Sequence, residues 1–431
     1  MTTPSRFHSV YLQGAKCSGC TTCVTSCPVE AIRVRKGRAL ILEERCIDCG
    51  ECIRLCPNHA KKALSAELEQ IKNYKETNVL VSPSFYAQFP QKYTIKQIQN
   101  AILSLGFTRL FDVSNFAYQV SYATVQYLKR VPQSAKPVIS SSCPAIIKLI
   151  QIRFPSLIEN LLPVLPPVEI AARKAASVSA EENTGIFFIS PCPAKITVPR
   201  YPLGYEKSCI TAVFSASDLY VPVLNILKKE NDFTEDYKER INPGCPQQGY
   251  RWAMSDGEID SLGQFLNKDE KINWLSCDGI SHSLQTLEAV EEDLLESVDF
   301  IEMSVCQGGC IGGPLVIKPV PIAHAAMRNR LAKIEPELEN ITCTDINLDD
   351  IYWTKDILPR PSLVLDSDFS KARKMMEEIV SISQDLPGLN CGSCGSPNCR
   401  ALAEDIVRKQ ARKEDCIQIL KKEYEKLVLG K

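Results

Sequence analysis

The amino-acid sequence predicts an α/β fold for most of this chain, with a small cysteine-rich domain at each end. Apolar stretches such as NVLVSPSF and GIFFISPCP alternate with segments of helical spacing, which indicates parallel or mixed sheets. Clusters of cysteines flank this region on both sides. We therefore predict four parts, which are a small α+β domain at 1–62, a linking helix at 63–78, a two-lobed α/β domain at 79–360 and a small helical domain at 361–431.

Composition limits the classes of protein to which this chain can belong. Its 431 residues include 50 basic and 51 acidic side chains, and the resulting net charge of -1 disfavours nucleic acid and anionic membrane surfaces as partners. The first residues lack the apolar core of a signal peptide, and no apolar run approaches the roughly 18 to 20 residues that cross a bilayer. We therefore expect a cytoplasmic protein without a membrane partner.

Twenty cysteines, most of them tightly spaced, indicate metal ligands rather than disulfides in a reducing compartment. The segments CSGCTTCVTSCP and CIDCGECIRLCP share the spacing C-x2-C-x2-C-x3-C-P, which is typical of ferredoxins with two 4Fe-4S clusters. The fourth cysteine of each run serves the other cluster in this pattern. The predicted ligands are Cys17, Cys20, Cys23 and Cys56 for the first cluster, and Cys46, Cys49, Cys52 and Cys27 for the second.

Two zinc sites are the alternative to this ferredoxin-like domain. Zinc modules separate their ligand pairs by a dozen or more residues and do not place three cysteines in seven, so we disfavour this alternative. Between the two runs, AIRVRKGRALILEE predicts a hairpin that turns at Lys36 and Gly37.

Further cysteines follow apolar runs in the predicted α/β domain. Cys143 ends the run PVISSSCP, and Cys192 ends GIFFISPCP. Because the loops at the carboxyl ends of parallel strands build the site in such folds, we expect these thiols to converge. A third segment, DFIEMSVCQGGCIGGP, adds two more thiols and four glycines, which allow close approach of the backbone to a bulky group. These residues are Cys306, Cys310, Gly308, Gly309, Gly312 and Gly313.

Together the three segments resemble the signature segments of the iron-only (FeFe) hydrogenases, which are Cys-Pro, Pro-Cys-x-x-Lys and Cys-x-Gly-Gly-Cys. The second segment begins at Pro191, and Lys195 matches the family's lysine that contacts a cyanide ligand. The resemblance implies that Cys310 bridges a 4Fe-4S cubane to a two-iron subsite carrying carbon monoxide, cyanide and a dithiolate, the composite H-cluster. The implied cubane ligands are Cys143, Cys192, Cys306 and Cys310.

The chain departs from the efficient members of this family at several positions. Ser142 stands where they have a proton-relaying cysteine, and a hydroxyl releases its proton much less readily than a thiol with a pKa of about 8.5. No Asp or Glu occurs from residue 113 to 158, where the family's proton path has glutamates. Gln307 replaces a usual proline, and Ser304 replaces a methionine that commonly packs on the subsite. We therefore predict slow turnover, which resembles the sensory branch of the family.

The C-terminal domain carries a separate set of four cysteines with intervening gaps of two, four and sixteen residues. It resembles the small 4Fe-4S domain of corrinoid iron-sulfur proteins and of some hydrogenase-related proteins. Four thiolates do not exclude zinc, so iron and zinc both remain open here. The charged helix that follows is predicted to be a solvated face. The predicted ligands are Cys391, Cys394, Cys399 and Cys416.

The other cysteines and the histidines show no ligand spacing, and we predict structural roles for them. They are Cys209, Cys245, Cys277 and Cys343, with His8, His59, His282 and His324. A cysteine nucleophile at Cys143 or Cys192 is disfavoured, because it leaves the remaining ligands unexplained.

These observations predict a low-activity, sensory FeFe hydrogenase that works at low oxygen. The resemblance implies reversible heterolytic cleavage of dihydrogen, with electrons passing through the accessory 4Fe-4S clusters to a redox or signalling protein. Two alternatives stay open, namely a fast hydrogenase linked to ferredoxin, and an iron-sulfur protein of cluster assembly without the two-iron subsite. The sequence leaves the oligomeric state open, with a homodimer as one option.

Overall fold

The computed structural model describes residues 8–179, 181–229, 240–241, 247–334, 347–360 and 364–429. The chain divides into two compact units. Met1–Ala63 and Arg360–Lys431 form one, here called the terminal unit, and Leu64–Pro359 form the other, here called the central unit. The first and last of the four predicted domains therefore share a single unit. Cys245 and Cys343 lie outside the described residues.

The first part of the terminal unit consists of short strands and single-turn helices. The strands Ile32–Arg35 and Arg38–Ile41 pair as an antiparallel hairpin, with Lys36 and Gly37 both at positive φ in the turn. This backbone matches the twist of the paired strands and confirms the predicted turn. The other elements are the antiparallel strands Val10–Leu12 and Lys61–Ala63, and the helices Thr22–Thr25 and Glu51–Arg54.

The second part of the terminal unit is helical, as predicted. Its helices are Phe369–Asp385, Cys399–Val407 and Ile417–Leu429. The first begins after Asp368, whose carboxylate accepts the backbone N–H groups of Ser370 and Lys371. Asn398 accepts the N–H of Ala401 in the same way, so both helices begin at capping side chains.

Two parallel sheets form the centre of the central unit, which agrees with the predicted α/β fold. One sheet has four strands in the spatial order Arg109–Asp112, Glu76–Val81, Thr184–Ser190 and Ala212–Ser215. The other has three, in the order Trp274–Asp278, Phe300–Ser304 and Val138–Ile139. All six residues of the Glu76–Val81 strand are buried, as expected for a parallel strand covered on both faces.

Helices connect these strands, and several of them begin with proline, which suits the first helical turn because its N–H needs no partner there. The helices of the described central unit are Pro83–Tyr86, Ile95–Leu103, Ser114–Leu128, Pro144–Arg153, Pro167–Ser177, Pro193–Thr197, Ala216–Lys229, Gln247–Arg251, Gly257–Leu262, Ile280–Glu291 and Val320–Leu331. Helical membrane spans are absent from the described part of the chain, where no helix has the required length and apolar character.

The prediction of one linking helix at 63–78 is wrong. The chain instead forms a 3₁₀ helix at Leu68–Asn73 and enters the central sheet at Glu76. Leu68, Ile71 and Tyr74 pack on the hydrophobic core, and their spacing of three residues matches the repeat of a 3₁₀ helix. Contact with the core therefore outweighed the local helical pattern.

Candidate metal centres

The signature cysteines follow directly after strands of the two parallel sheets. Cys143 and Cys192 each lie immediately before a helix, Pro144–Arg153 and Pro193–Thr197 respectively. Cys306 comes two residues after the strand Phe300–Ser304. The strand ends thus deliver these thiols to one region of the central unit, as their positions in the sequence predict.

The ammonium of Lys195 lies among these thiols. Its Nζ donates to Sγ of Cys310 at 3.4 Å. Burial alone would lower the pKa of this lysine, but the charges of Cys310, Cys192 and Cys143 outweigh burial and raise it. Lys195 is therefore a fixed positive charge at the meeting point of the thiols.

Burial has the opposite consequence for the thiols themselves. It raises the pKa of Cys143, and it raises that of Cys192 to about 12 although Lys195 opposes the shift. Burial therefore opposes ionisation of these thiols, whereas binding of a metal favours it, since metal ligands must be deprotonated. Cys306, which is 7% exposed, completes the set from the same loop as Cys310.

The glycines of the third segment allow parts of the protein to pack closely. Gly308 and Gly309 have φ values of 76° and 79°, which favour glycine. A Cβ on Gly309 would lie 2.9 Å from the backbone carbon of Met254. A Cβ on Gly313 would overlap the carbonyl oxygen of Pro191, so this glycine holds the second and third segments together.

A partly open cavity adjoins the thiols. Ser142, Cys143, Lys195 and Cys310 line it, together with Ser304, whose hydroxyl donates to the carbonyl oxygen of Cys306 at 3.1 Å. The thiols of Cys143 and Cys310, which could bind a 4Fe-4S cubane, therefore line the same cavity as the ammonium of Lys195, which could bind anionic ligands. Gln307, by contrast, has an exposed side chain.

Two carboxyl groups line the same cavity as Ser142, the buried Glu258 and the half-buried Glu302, and the sequence analysis did not identify either. Oε2 of Glu258 accepts the hydroxyl of Ser140 at 2.7 Å, and the side chain of Ser142 also bonds to this carboxyl. Oε2 of Glu302 accepts the N–H of Ile259 at 3.0 Å. Glu258 lies in the short helix Gly257–Leu262, where no sequence signal distinguishes it. The position of Glu302, two residues before Ser304 in the third segment, offered a weak signal.

The environment of these carboxyl groups favours their protonated forms. Burial raises the pKa of Glu258 to about 7, although the serine hydroxyls oppose the shift. Burial also raises the pKa of Glu302, and the charges of Glu258 and the exposed Asp256 raise it further. A carboxyl group with a pKa near neutrality can both accept and release protons under ordinary conditions.

The terminal unit brings together the cysteines predicted for each ferredoxin-type site. The first set lines one cavity and consists of Cys17, Cys20, Cys23 and Cys56. The second set is a cluster of thiols whose charges act on one another, Cys27, Cys46, Cys49 and Cys52. Sγ of Cys27 accepts the N–H of Ala31, and Sγ of Cys56 accepts that of Ala60, both at 3.2 Å. Such N–H contacts stabilise sulfur when it carries negative charge.

The C-terminal cysteines surround the core of the helical part. Cys394, Cys399 and Cys416 pack among its apolar side chains, whereas Cys391 is exposed. The adjoining helix is not the solvated face that its charges predict, because Asp405 on it is only 2% exposed and binds arginines. Its charge is balanced by buried partners instead of water.

Two cysteines without a predicted ligand role have surroundings that differ from those of the clusters. Cys277 is buried and accepts the hydroxyl of Thr286 at 3.3 Å. Cys209 is partly buried, and its N–H donates to Glu169. Neither contact involves another thiol, and the structural roles of these two cysteines stay a prediction.

One mixed group of possible metal-ligating side chains lies close together in the described ranges. His8, Cys46 and Asp48 have ligand atoms within 4.8 Å of one another, beside the second ferredoxin-type set.

Three family models match separate stretches of the chain. Residues 75–197 and 253–314 match the C-terminal domain of the iron-only hydrogenase large subunit. Residues 9–57 match the 4Fe-4S dicluster domain, and residues 386–418 match a putative Fe-S cluster family. The fold and these matches define an iron-sulfur protein with a hydrogenase-type α/β domain. The chain belongs to the iron-only (FeFe) hydrogenase family and carries a ferredoxin-like module at its N-terminal side.

Similar curated proteins share only short stretches with this chain. An uncharacterized protein of Methanocaldococcus jannaschii is 40% identical over 67 residues, which cover 15% of this chain and 30% of that protein. A component of the ion-translocating oxidoreductase complex of Methanosarcina acetivorans is 46% identical over 44 residues, or 10% of this chain and 17% of that protein. The chain thus spans less than a third of either relative.

Solved structures of FeFe hydrogenases are similar to a larger share of the chain. A variant from Chlamydomonas reinhardtii is 14% identical with a TM-score of 0.48, and the match covers 68% of this chain and 98% of that chain. An FeFe hydrogenase solved in a study of oxygen inactivation is 14% identical with a TM-score of 0.49 and the same coverage.

Proposed function

We propose that this chain is a slow, sensory FeFe hydrogenase that cleaves dihydrogen reversibly and heterolytically at an H-cluster. The observation that carries the proposal is the placement of Lys195, with its Nζ 3.4 Å from Sγ of Cys310 and its side chain lining the same cavity as that thiol. A buried ammonium is costly unless it meets negative charge, and cyanide ligands beside thiolates supply that charge. An assembly protein without the two-iron subsite has no such need.

The residues fit the proposed group in number and chemistry. Cys143, Cys192, Cys306 and Cys310 would hold the cubane, with Cys310 as the bridge to the subsite. When bound, the H-cluster supplies the reversible heterolytic splitting of dihydrogen. Two ferredoxin-type 4Fe-4S clusters and one C-terminal 4Fe-4S cluster would carry electrons to a redox or signalling partner.

The chain's own residues would handle the proton. Ser142 and Glu258 both line the cavity, with the side chain of Ser142 beside the carboxyl of Glu258. A serine hydroxyl must accept one proton as it passes another on, and its high pKa makes this slower than transfer through a thiol. Glu258, with a pKa of about 7, can then take the proton, and Glu302, which lines the same cavity, lies close to it.

Slow transfer at Ser142 supports a sensory role, because a sensor reports dihydrogen without consuming it quickly. The buried Glu258 favours the second candidate, a fast catalytic hydrogenase, since it supplies an acid that the segment 113–158 lacks. Turnover of the pure, loaded protein separates these two candidates. We also infer a cytoplasmic location, because tightly spaced cysteines that serve as metal ligands are typical of a reducing compartment.

Infrared spectroscopy after maturation with the two-iron subsite tests the proposal. We expect bands of bound carbon monoxide and cyanide, together with about sixteen cluster irons plus two per chain if each motif is loaded. Absence of those bands, with the accessory clusters intact, would exclude both hydrogenase candidates and leave an iron-sulfur protein without the subsite. Zinc is measured on the same sample to identify the metal of the C-terminal set.

A further inference from the structure

Within the terminal unit, the hairpin of the ferredoxin-like part is bonded directly to the C-terminal cysteine loop. The N–H of Val34 donates to the carbonyl oxygen of Gly395 at 2.7 Å. Gly395 follows Cys394 directly in the sequence, and Val34 lines the cavity of the first ferredoxin-type site. A single hydrogen bond therefore links the loop that bears Cys394 to a residue that lines the first site.

A second contact joins the same two sites. Gly392, next to Cys391, has a φ of 70°, and a Cβ there would lie 2.5 Å from Cγ2 of Thr25. Thr25 is two residues beyond Cys23 of the first set. At Gly395, with a φ of 79°, a Cβ would overlap the carbonyl oxygen of Val34. Only glycine permits the two ligand-bearing loops to approach this closely.

Buried charge holds this contact in place. Oδ2 of Asp405 accepts Nε of Arg33 at 2.7 Å, Nη2 of Arg35 at 2.6 Å and the hydroxyl of Ser396 at 2.7 Å. Nη1 of Arg35 also donates to the carbonyl oxygen of Cys394 at 3.3 Å. Loss of one partner from such a buried group leaves an uncompensated charge, so the loop and the hairpin are strongly coupled.

Each member of this cluster comes from a defined part of the terminal unit. Arg33 and Arg35 lie on the strand Ile32–Arg35, whereas Asp405 lies on the helix Cys399–Val407. A neighbouring pair repeats the pattern, because Arg45 binds Glu404 of the same helix at 2.5 Å. Two consecutive acids of one helix thus bind three arginines of the ferredoxin-like part.

We propose that the C-terminal four-cysteine site and the first ferredoxin-type site form one electron-transfer pair, with Arg35 as the residue that positions them. One electron leaves the reduced cluster of one site and enters the oxidised cluster of the other. No bond is made or broken and no proton moves. The inference rests on the proposed function, because it requires 4Fe-4S clusters at both sites.

Electron paramagnetic resonance of the reduced holoprotein tests this inference. The part of the spectrum that is missing in the Cys416→Ser variant is assigned to the C-terminal centre. We expect this signal to relax quickly in the unchanged protein, because a second paramagnetic centre lies close to it, and to relax slowly in Arg35→Gln. Arg38→Gln is the matched control, since Arg38 pairs with Arg35 across the hairpin but has an exposed side chain. It should leave the relaxation unchanged.

A C-terminal signal that relaxes like an isolated cluster in the unchanged protein would overturn the inference, as would zinc at that site. If Arg35→Gln loses iron, pulsed dipolar measurement on the unchanged protein decides. A strong dipolar coupling of the C-terminal centre to a neighbouring cluster supports the pair, and its absence contradicts it. Failure of the proposed function is distinguishable, because the infrared bands of the subsite would be missing while this coupling persisted.

Discussion

The hydroxyl of Ser140 donates a hydrogen bond of 2.7 Å to Oε2 of Glu258, a carboxyl group that is 4% exposed. The N–H of Ser142 in turn donates to the hydroxyl of Ser140 at 3.2 Å, so the segment before Cys143 is tied to this acid. The loop that bears Cys143 is therefore hydrogen-bonded to the carboxyl of Glu258, which can hold a proton.

Replacing Ser142 by cysteine is expected to raise the rate of dihydrogen turnover. A thiol transfers protons more readily near neutral pH than a hydroxyl, and a positioned acid-base group contributes about 10²-fold or more. The rate is measured as dihydrogen production from a reduced dye. Ser141→Cys is the control, because the hydroxyl of Ser141 bonds to the carbonyl oxygen of Val164 instead. An unchanged rate in Ser142→Cys would mean that proton transfer there does not limit turnover.

The Glu258→Gln variant is expected to lose turnover by about 10²-fold, since the amide cannot accept and release a proton. The infrared bands of the loaded subsite should keep their intensity, which separates proton transfer from loss of the cofactor. Asp260→Asn on the same helix is the control, because its carboxylate is exposed and pairs with Arg251. Equal rates in Glu258→Gln and the control would remove Glu258 from the proton route.

The raised pKa of Glu258 also predicts how stability depends on pH. The carboxyl holds its proton in the folded protein up to about pH 7, whereas an exposed glutamate loses it near 4.5. The contribution of this carboxyl to folding stability is therefore fully present below about pH 4.5, and it is lost as the pH rises through about 7. The melting temperature should fall across this range more steeply in the unchanged protein than in Glu258→Gln. Parallel curves for the two proteins would contradict the assignment.

The Lys195→Gln variant is expected to retain less of the two-iron subsite. Its amide has the length to stay in the cavity but lacks the charge that the cyanide ligands need. We expect weaker infrared bands per chain with unchanged iron in the accessory clusters. Lys174→Gln, on the helix Pro167–Ser177, is the control for a change of charge elsewhere in the central unit. Full bands in Lys195→Gln would show that its ammonium is dispensable for retention.

A methyl group at Gly313 is expected to separate the second and third signature segments. Because this Cβ would overlap the carbonyl oxygen of Pro191, we expect a destabilisation of about 1–3 kcal/mol with fewer irons bound. Gly263→Ala is the control, since a Cβ there meets no atom within 4 Å. It should be neutral or stabilising by about 0.4–1 kcal/mol. Thermal melts with iron analysis compare the two, and equal melting temperatures would contradict the prediction.

Local patterns predicted the features that depend on neighbouring residues. The Lys36 and Gly37 turn lies where the hairpin pattern predicts it, because two positive φ values suit the twist of the paired strands. The runs that end at Cys143 and Cys192 became parallel strands followed by helices, since a continuous apolar run is what a strand buried on both faces requires. The linking helix failed because packing of Leu68 and Ile71 on the core decided that segment.

The sequence by itself determined the alternation of strands and helices and the spacing of cysteines, because both are properties of short stretches. Only the tertiary structure decided that Glu258 meets Ser140, and that Asp405 meets Arg33 across 372 positions. Such partners depend on how the fold brings distant segments together, because a buried charge is stable only beside a group of opposite charge. The local sequence around a glutamate or an aspartate does not show whether that side chain will be buried and paired.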